Sequence, residues 1–109
     1  MAISLMQQAR ELETQVGGIL SAYDIGDLSN AQKDLLNTIK HQLTDARLDT
    51  RDYEYAETRA DQLLAAKEAK ERFLSLQDNI VKASESDIFG AIDVAQLSAR
   101  IQHLIANME

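Results

Sequence analysis

Apolar residues recur at alternating intervals of three and four along most of the chain, the spacing that places side chains on one face of an α-helix. In the first segment the series is Leu5, Ala9, Leu12, Val16, Ile19 and Tyr23. In the last it is Val94, Leu97, Ile101, Leu104 and Met108. The 109 residues include no proline, and proline is the residue that breaks helices most strongly. The pattern therefore predicts an all-α protein with long helices.

The helix boundaries follow from these stripes and from residues that cap helix ends. We predict helices over residues 3–23, 30–48, 52–83 and 93–107, each to within a few residues. Ser29 with Gln32 has the spacing of a capping box, and so does Asp93 with Gln96. A staple between Ile92 and Leu97 would support the second box.

The turn between the second and third helices has the weakest signal, because neither glycine nor proline occurs between Gly26 and Gly90. We place it near Leu48–Arg51, where the apolar stripe thins. Asp49, Thr50 and Asp52 could each cap the next helix there. The alternative is one unbroken helix over residues 30–82.

Gly17 and Gly18 interrupt the first helical stripe. Each glycine costs on the order of 1 kcal/mol relative to alanine inside a helix. We therefore expect either a bend at this pair or another helix that crosses closely.

The expected fold is a single domain, residues 1–109, built as an antiparallel bundle of three to four helices. Its third helix is long and central, and it pairs with a neighbouring helix as a coiled-coil-like hairpin. The apolar stripe of that helix is longer than the other helices can cover, so we expect a second copy to cover the remainder. Two-fold pairing is the commonest solution to a self-complementary stripe, which predicts a homodimer.

The charge balance excludes several classes of partner. The chain has 18 acidic and 11 basic residues and a net charge of -7, which disfavours binding to nucleic acid. No basic cluster or long apolar run indicates a membrane, and no signal segment is recognisable. We expect a cytoplasmic protein, with export by a signal-less route left open, and a protein partner that presents a basic patch.

Chemistry-bearing residues are sparse in this sequence. There is no cysteine, and both histidines fall in predicted helices, so no nucleophile with its base and orienting acid is recognisable. His41 and Asp45 could share a metal, but no third ligand accompanies them. We expect that the protein is not an enzyme and binds neither a cofactor nor a metal. A small ligand-binding or metal-binding bundle remains an alternative.

One local resemblance lies in the segment AQKDLLNTIKHQL. Its matching residues are Leu35, Leu36, Ile39, His41 and Leu43. The segment resembles the phosphoacceptor helix of sensor histidine kinases, which implies a helical-hairpin dimer that accepts phosphate on His41. Gln42 stands where that family has an acid, and Ala46 where it has a proline. In histidine phosphotransfer domains the family has a lysine and a glycine where this chain has Thr44 and Asp45.

The favoured function is a non-enzymatic interaction module, such as an adaptor, small chaperone, inhibitor or assembly subunit. Tyrosine is enriched at interfaces, so the tyrosines of the polar middle segment are candidate contacts. The simpler interpretation is that one covers the hairpin end and the other lies against an arginine stem. Large apolar residues on and after the third helix are the candidate anchors, and the last two of them would otherwise plug the bundle end. The candidates are Tyr53, Tyr55, Phe73, Leu76, Ile80, Ile88 and Phe89.

Overall fold

Four α-helices carry the fold in the computed structural model, which describes residues 4–23, 25–86 and 88–108. They are α1 (Leu5–Leu20), α2 (Asn30–Glu54), α3 (Arg59–Glu85) and α4 (Ala91–Ala106). A short 3-10 turn at Ile25–Asp27 connects α1 to α2. The all-α prediction is therefore confirmed.

Side-chain caps begin the first three helices. Ser29 accepts a hydrogen bond from the backbone N–H of Gln32 at 3.1 Å, and the Gln32 side chain accepts one from the Ser29 N–H at 2.8 Å. This reciprocal pair confirms the predicted capping box. Ser4 caps α1 in the simpler way by accepting from the Gln7 N–H.

The turn between α2 and α3 lies further along the chain than we predicted. α2 continues to Glu54, and α3 begins at Arg59 with Thr58 as its cap. Thr50 does not cap a helix, because it is fully buried within α2 and donates to the Ala46 carbonyl at 2.8 Å. Asp49 is bound by Arg72 of α3. These polar residues belong to the helix–helix contact, so both the predicted turn and the unbroken helix are wrong.

Two other predicted boundaries are corrected. α4 begins with Gly90 as its cap, so Asp93 lies inside the first turn. There its negative charge interacts favourably with the positive end of the helix dipole. Ile92 is 75% exposed and does not form the predicted staple. α1 ends at Leu20 instead of residue 23, and its predicted start at residue 3 lies outside the described residues.

The helices pack in sequence order with antiparallel neighbours, and α4 also contacts α1. The contact between α2 and α3 is the most extensive and the α1–α4 contact the smallest of these. Arg47 of α2 donates to Glu13 of α1 at 3.2 Å, and Gln102 of α4 donates to Gln77 of α3 at 2.8 Å. The antiparallel bundle is thereby confirmed with four helices.

The core lies between these helices and is almost entirely aliphatic. One continuous cluster joins the buried faces of all four helices and the segment before α4. Its fully buried large members are Phe73, Leu12, Ile39, Leu76, Ile80, Ile88, Leu97, Ile101, Leu104, Met108 and Val16. Most of them belong to the three-and-four stripes read from the sequence.

The helices differ in length, and α4 reaches only part of the α2–α3 hairpin. α2 and α3 have 25 and 27 residues, whereas α1 and α4 have 16 each. Counted from the contact between Gln102 and Gln77, α4 runs beside roughly residues 73–88 of α3. The first half of α3 therefore extends beyond α4.

Gly17 and Gly18 lie inside α1, and both are exposed. A Cβ atom added to either glycine would meet no neighbouring atom within 4 Å, and neither has a positive φ. The expectation that another helix crosses closely at this pair is therefore wrong.

Candidate functional site

The structure buries most of the residues proposed as contact anchors. Phe73, Leu76 and Ile80 face the core from α3, and the loop residues Ile88 and Phe89 are buried with them. The expectation of an exposed stripe at these positions is wrong, because the stripe is the face that α3 turns to its own bundle. Ile88 and Phe89 instead close the core between α3 and α4.

The two tyrosines lie close together in sequence but differ in environment. Tyr53 is half-buried and packs against the core. Tyr55 forms the C-cap of α2 and is 68% exposed. Of the seven candidate contact residues, Tyr55 is the one whose side chain is largely accessible in the folded chain.

A different apolar surface is exposed on α3. Leu63, Leu74 and Val81 are 45%, 50% and 41% exposed. Spacings of 11 and 7 residues place these three side chains within about 20° of one line along the helix. We call this line, together with the charged residues within about 60° of it around the helix, the α3 face. It runs for roughly 27 Å along the longest helix of the bundle.

The charged residues of the α3 face are separated by sign along the helix. Lys67 and Lys70 lie between Leu63 and Leu74, in the first half. Asp78 and Glu85 lie in the second half, within about 60° of the same line. One end of the face is therefore basic and the other acidic, which restricts how a partner can align with it.

The side of α3 roughly opposite the α3 face is occupied by polar contacts to α2. The Arg72 guanidinium binds both Asp45, at 3.3 Å, and Asp49. Gln42 donates to Ser75 and accepts from Asn79. Burial raises the pKa of the Asp49 carboxyl above its usual value of 3.8 and outweighs the opposing effect of Arg72, while the nearby charges of Glu68 and Asp52 raise it further.

The candidate phosphoacceptor His41 is exposed on α2. Asp45, one turn later, is bound by Arg72 of α3 and so serves the α2–α3 contact. Across residues 4–23, 25–86 and 88–108, no three His, Cys, Asp or Glu residues are grouped closely enough to hold a metal ion.

A groove of about 290 Å³ lies along the contact between α1 and α4. Its lining residues are Gln8, Glu11, Ala99, Arg100, His103 and Leu104. A second, more open depression adjoins it along α1 and contains Gln15, whose buried Oε1 accepts no hydrogen bond. The mixed charges of this groove indicate no single class of ligand.

The spacing of Leu63, Leu74 and Val81 is visible in the sequence, but it could not be separated from the apolar spacing of the core. Both the core stripe and the α3 face contain apolar residues, so the face is recognisable only after the core side of α3 is known. Leu63 fits the three-and-four spacing of the buried residues Ala66, Ala69 and Phe73, yet it is 45% exposed, because it lies on the line of Leu74 and Val81, away from the core side of α3.

Comparison with protein-family models, with curated proteins and with solved structures found no match. Within the described part of the chain, no helix combines the length and the apolar character needed to cross a bilayer.

Proposed function

We propose that this chain is a non-enzymatic protein-interaction module that uses the α3 face, and that its first partner is a second copy of itself. The observation that carries the proposal is the line formed by Leu63, Leu74 and Val81, which are all more than two-fifths exposed on the longest helix. A stretch of α3 also lacks cover from α4. A partner helix on this face would bury the three side chains and complete the packing of α3.

The size of the α3 face predicts a weak association. Complete burial of a Leu or Val side chain stabilises by about 1.5 to 3 kcal/mol, so burying the exposed half of each yields roughly 1 kcal/mol. Two copies would contribute six such side chains, or roughly 6 kcal/mol before the cost of association is subtracted. Without that cost, roughly 6 kcal/mol corresponds to a dissociation constant of about 40 μM. Because the cost of association weakens it, we expect a reversible dimer that forms between tens of micromolar and several millimolar.

Sedimentation equilibrium over that concentration range tests the proposal with one variant and one matched control. Leu74→Glu places a charge at the middle of the α3 face and should leave the protein monomeric. Leu64→Glu adds the same charge at a side chain that is 56% exposed on α3 but lies about 100° around the helix from Leu63, and it should leave the association unchanged. Circular dichroism should show both variants as helical as the unmodified chain.

A strictly monomeric mass at every concentration would contradict self-association through this face, and so would an equal effect of the two variants. The histidine alternative is tested separately by incubation with acetyl phosphate. A non-enzymatic module should acquire no acid-labile phosphate, whereas a phosphoacceptor should acquire it and lose it in the His41→Gln variant.

A further inference from the structure

We infer that the second copy docks on the α3 face in antiparallel orientation, with a two-fold axis near residue 72, so that Leu63 packs against the partner's Val81. The inference rests on the proposed function and specifies the geometry of its complex. Three features of the described residues support it: the charge separation along the α3 face, the spacing of its apolar residues, and the first half of α3, which extends beyond α4.

The charge separation excludes the parallel alternative. In a parallel pair each residue of the α3 face would meet its own copy, so Lys67 and Lys70 would face the partner's lysines, and the acidic residues would repel likewise. An antiparallel pair places the basic half of one α3 against the acidic half of the other. Lys67 then lies opposite the partner's Asp78, and the two-fold axis repeats this ion pair.

The apolar spacing sets the register. Residue 72 lies midway between Leu63 and Val81, so a two-fold axis there brings these two side chains together at both ends of the contact. In the same register Lys70 lies opposite the partner's Leu74. The aliphatic stem of the lysine can cover that leucine while its ammonium group reaches solvent.

The unequal helix lengths make the same arrangement complementary in shape. α4 runs beside roughly residues 73–88 of its own α3, as counted from the contact between Gln102 and Gln77. A two-fold axis at residue 72 places residues 73–88 of one α3 alongside roughly residues 56–71 of the other copy's α3. The α4 of each copy would thus lie near the first half of the partner's α3, which the partner's own α4 does not reach.

Cysteine cross-linking tests this geometry directly, because the natural sequence contains no cysteine. Leu63→Cys and Val81→Cys are made as single variants, mixed, and treated with a short bismaleimide. In the antiparallel pair, residue 63 of one copy lies about 27 Å along the helix from residue 63 of the other, so a short linker cannot join two copies of the same single variant. We expect a cross-linked dimer from the mixture and only monomer from either single variant alone.

Charge reversal supplies an independent readout. Lys67→Glu and Asp78→Lys should each weaken dimerisation about three- to tenfold, because each breaks two ion pairs per dimer. The double variant restores both pairs with exchanged signs and should dimerise within about twofold of the unmodified chain. Sedimentation equilibrium at low salt gives the dissociation constants.

The outcomes separate failure of this geometry from failure of the proposed function. Cross-linking by each single variant on its own would show a parallel pair and overturn the antiparallel geometry while self-association stands. A double variant weaker than both single variants would also overturn the predicted register. A protein that remains monomeric and never cross-links would overturn the proposed self-association itself.

Discussion

Replacing Gly17 and Gly18 by alanine should stabilise the protein. Both residues are exposed within α1, neither has a positive φ, and no atom lies within 4 Å of the Cβ that each substitution would add. Alanine loses less backbone entropy than glycine on entering a helix. We therefore expect a gain in stability from each substitution, with no steric cost to oppose it.

The magnitude follows from helix propensity. Alanine is favoured over glycine by about 0.8 to 1.0 kcal/mol in a helix interior, and the benefit is smaller in the last turn, where this pair lies. We expect the double variant to raise the free energy of unfolding by about 1 to 2 kcal/mol. For a domain of this size, that increase corresponds to a rise in Tm of roughly 4 to 8 °C.

Urea unfolding and thermal unfolding, both followed by far-UV circular dichroism, measure these changes. Gly90→Ala is the matched control, because Gly90 caps α4 and alanine is a poor N-cap residue. It should lower the stability by about 0.5 kcal/mol although its Cβ would make only an ordinary contact, 3.8 Å from Asp93 Oδ2. A loss of stability in the Gly17 and Gly18 double variant would refute the reasoning.

Two further predictions concern polar groups. The Asp49 carboxyl should titrate above 3.8 by NMR, and Arg72→Met should raise its pKa further because Arg72 opposes the burial. Because the pKa of Asp49 is higher in the folded state than in the unfolded state, ionisation of this carboxyl lowers the free energy of unfolding. That loss disappears as the pH falls through the folded pKa. A measured pKa at or below 3.8 would contradict this prediction. Ser29→Ala should cost about 1 kcal/mol in urea unfolding by removing the capping box. Ser84→Ala, which removes a hydroxyl bonded only to the Val81 carbonyl within α3, should change the stability little; equal losses from the two serine substitutions would contradict the capping argument.

The helices and most of the core could be predicted from the sequence because both depend on local periodicity. Leu12, Leu76 and Leu104 each belong to a three-and-four stripe, and each is buried. The Ser29 cap was predictable for the same reason, since its partner Gln32 is only three residues away. Signals of this kind do not depend on which helices later become neighbours.

The turn between α2 and α3 could not be placed in this way. Asp49 and Thr50 are typical cap residues, and their roles are decided by burial and by Arg72, which follows Asp49 by 23 residues. The exposed α3 face was missed for a related reason. Whether an apolar residue of α3 faces solvent or the core depends on which side of α3 the other helices pack against, and that is a tertiary property.

The packing order of the helices has a consequence for how the chain assembles. α1–α2, α2–α3 and α3–α4 are contacts between neighbours in sequence, and each closes a short loop at small entropic cost. The α1–α4 contact alone joins segments on the order of 90 residues apart, so it carries the largest closure entropy and is also the smallest of these contacts. We therefore expect rapid folding from the α2–α3 hairpin outwards, with the seam between α1 and α4 forming last and opening first.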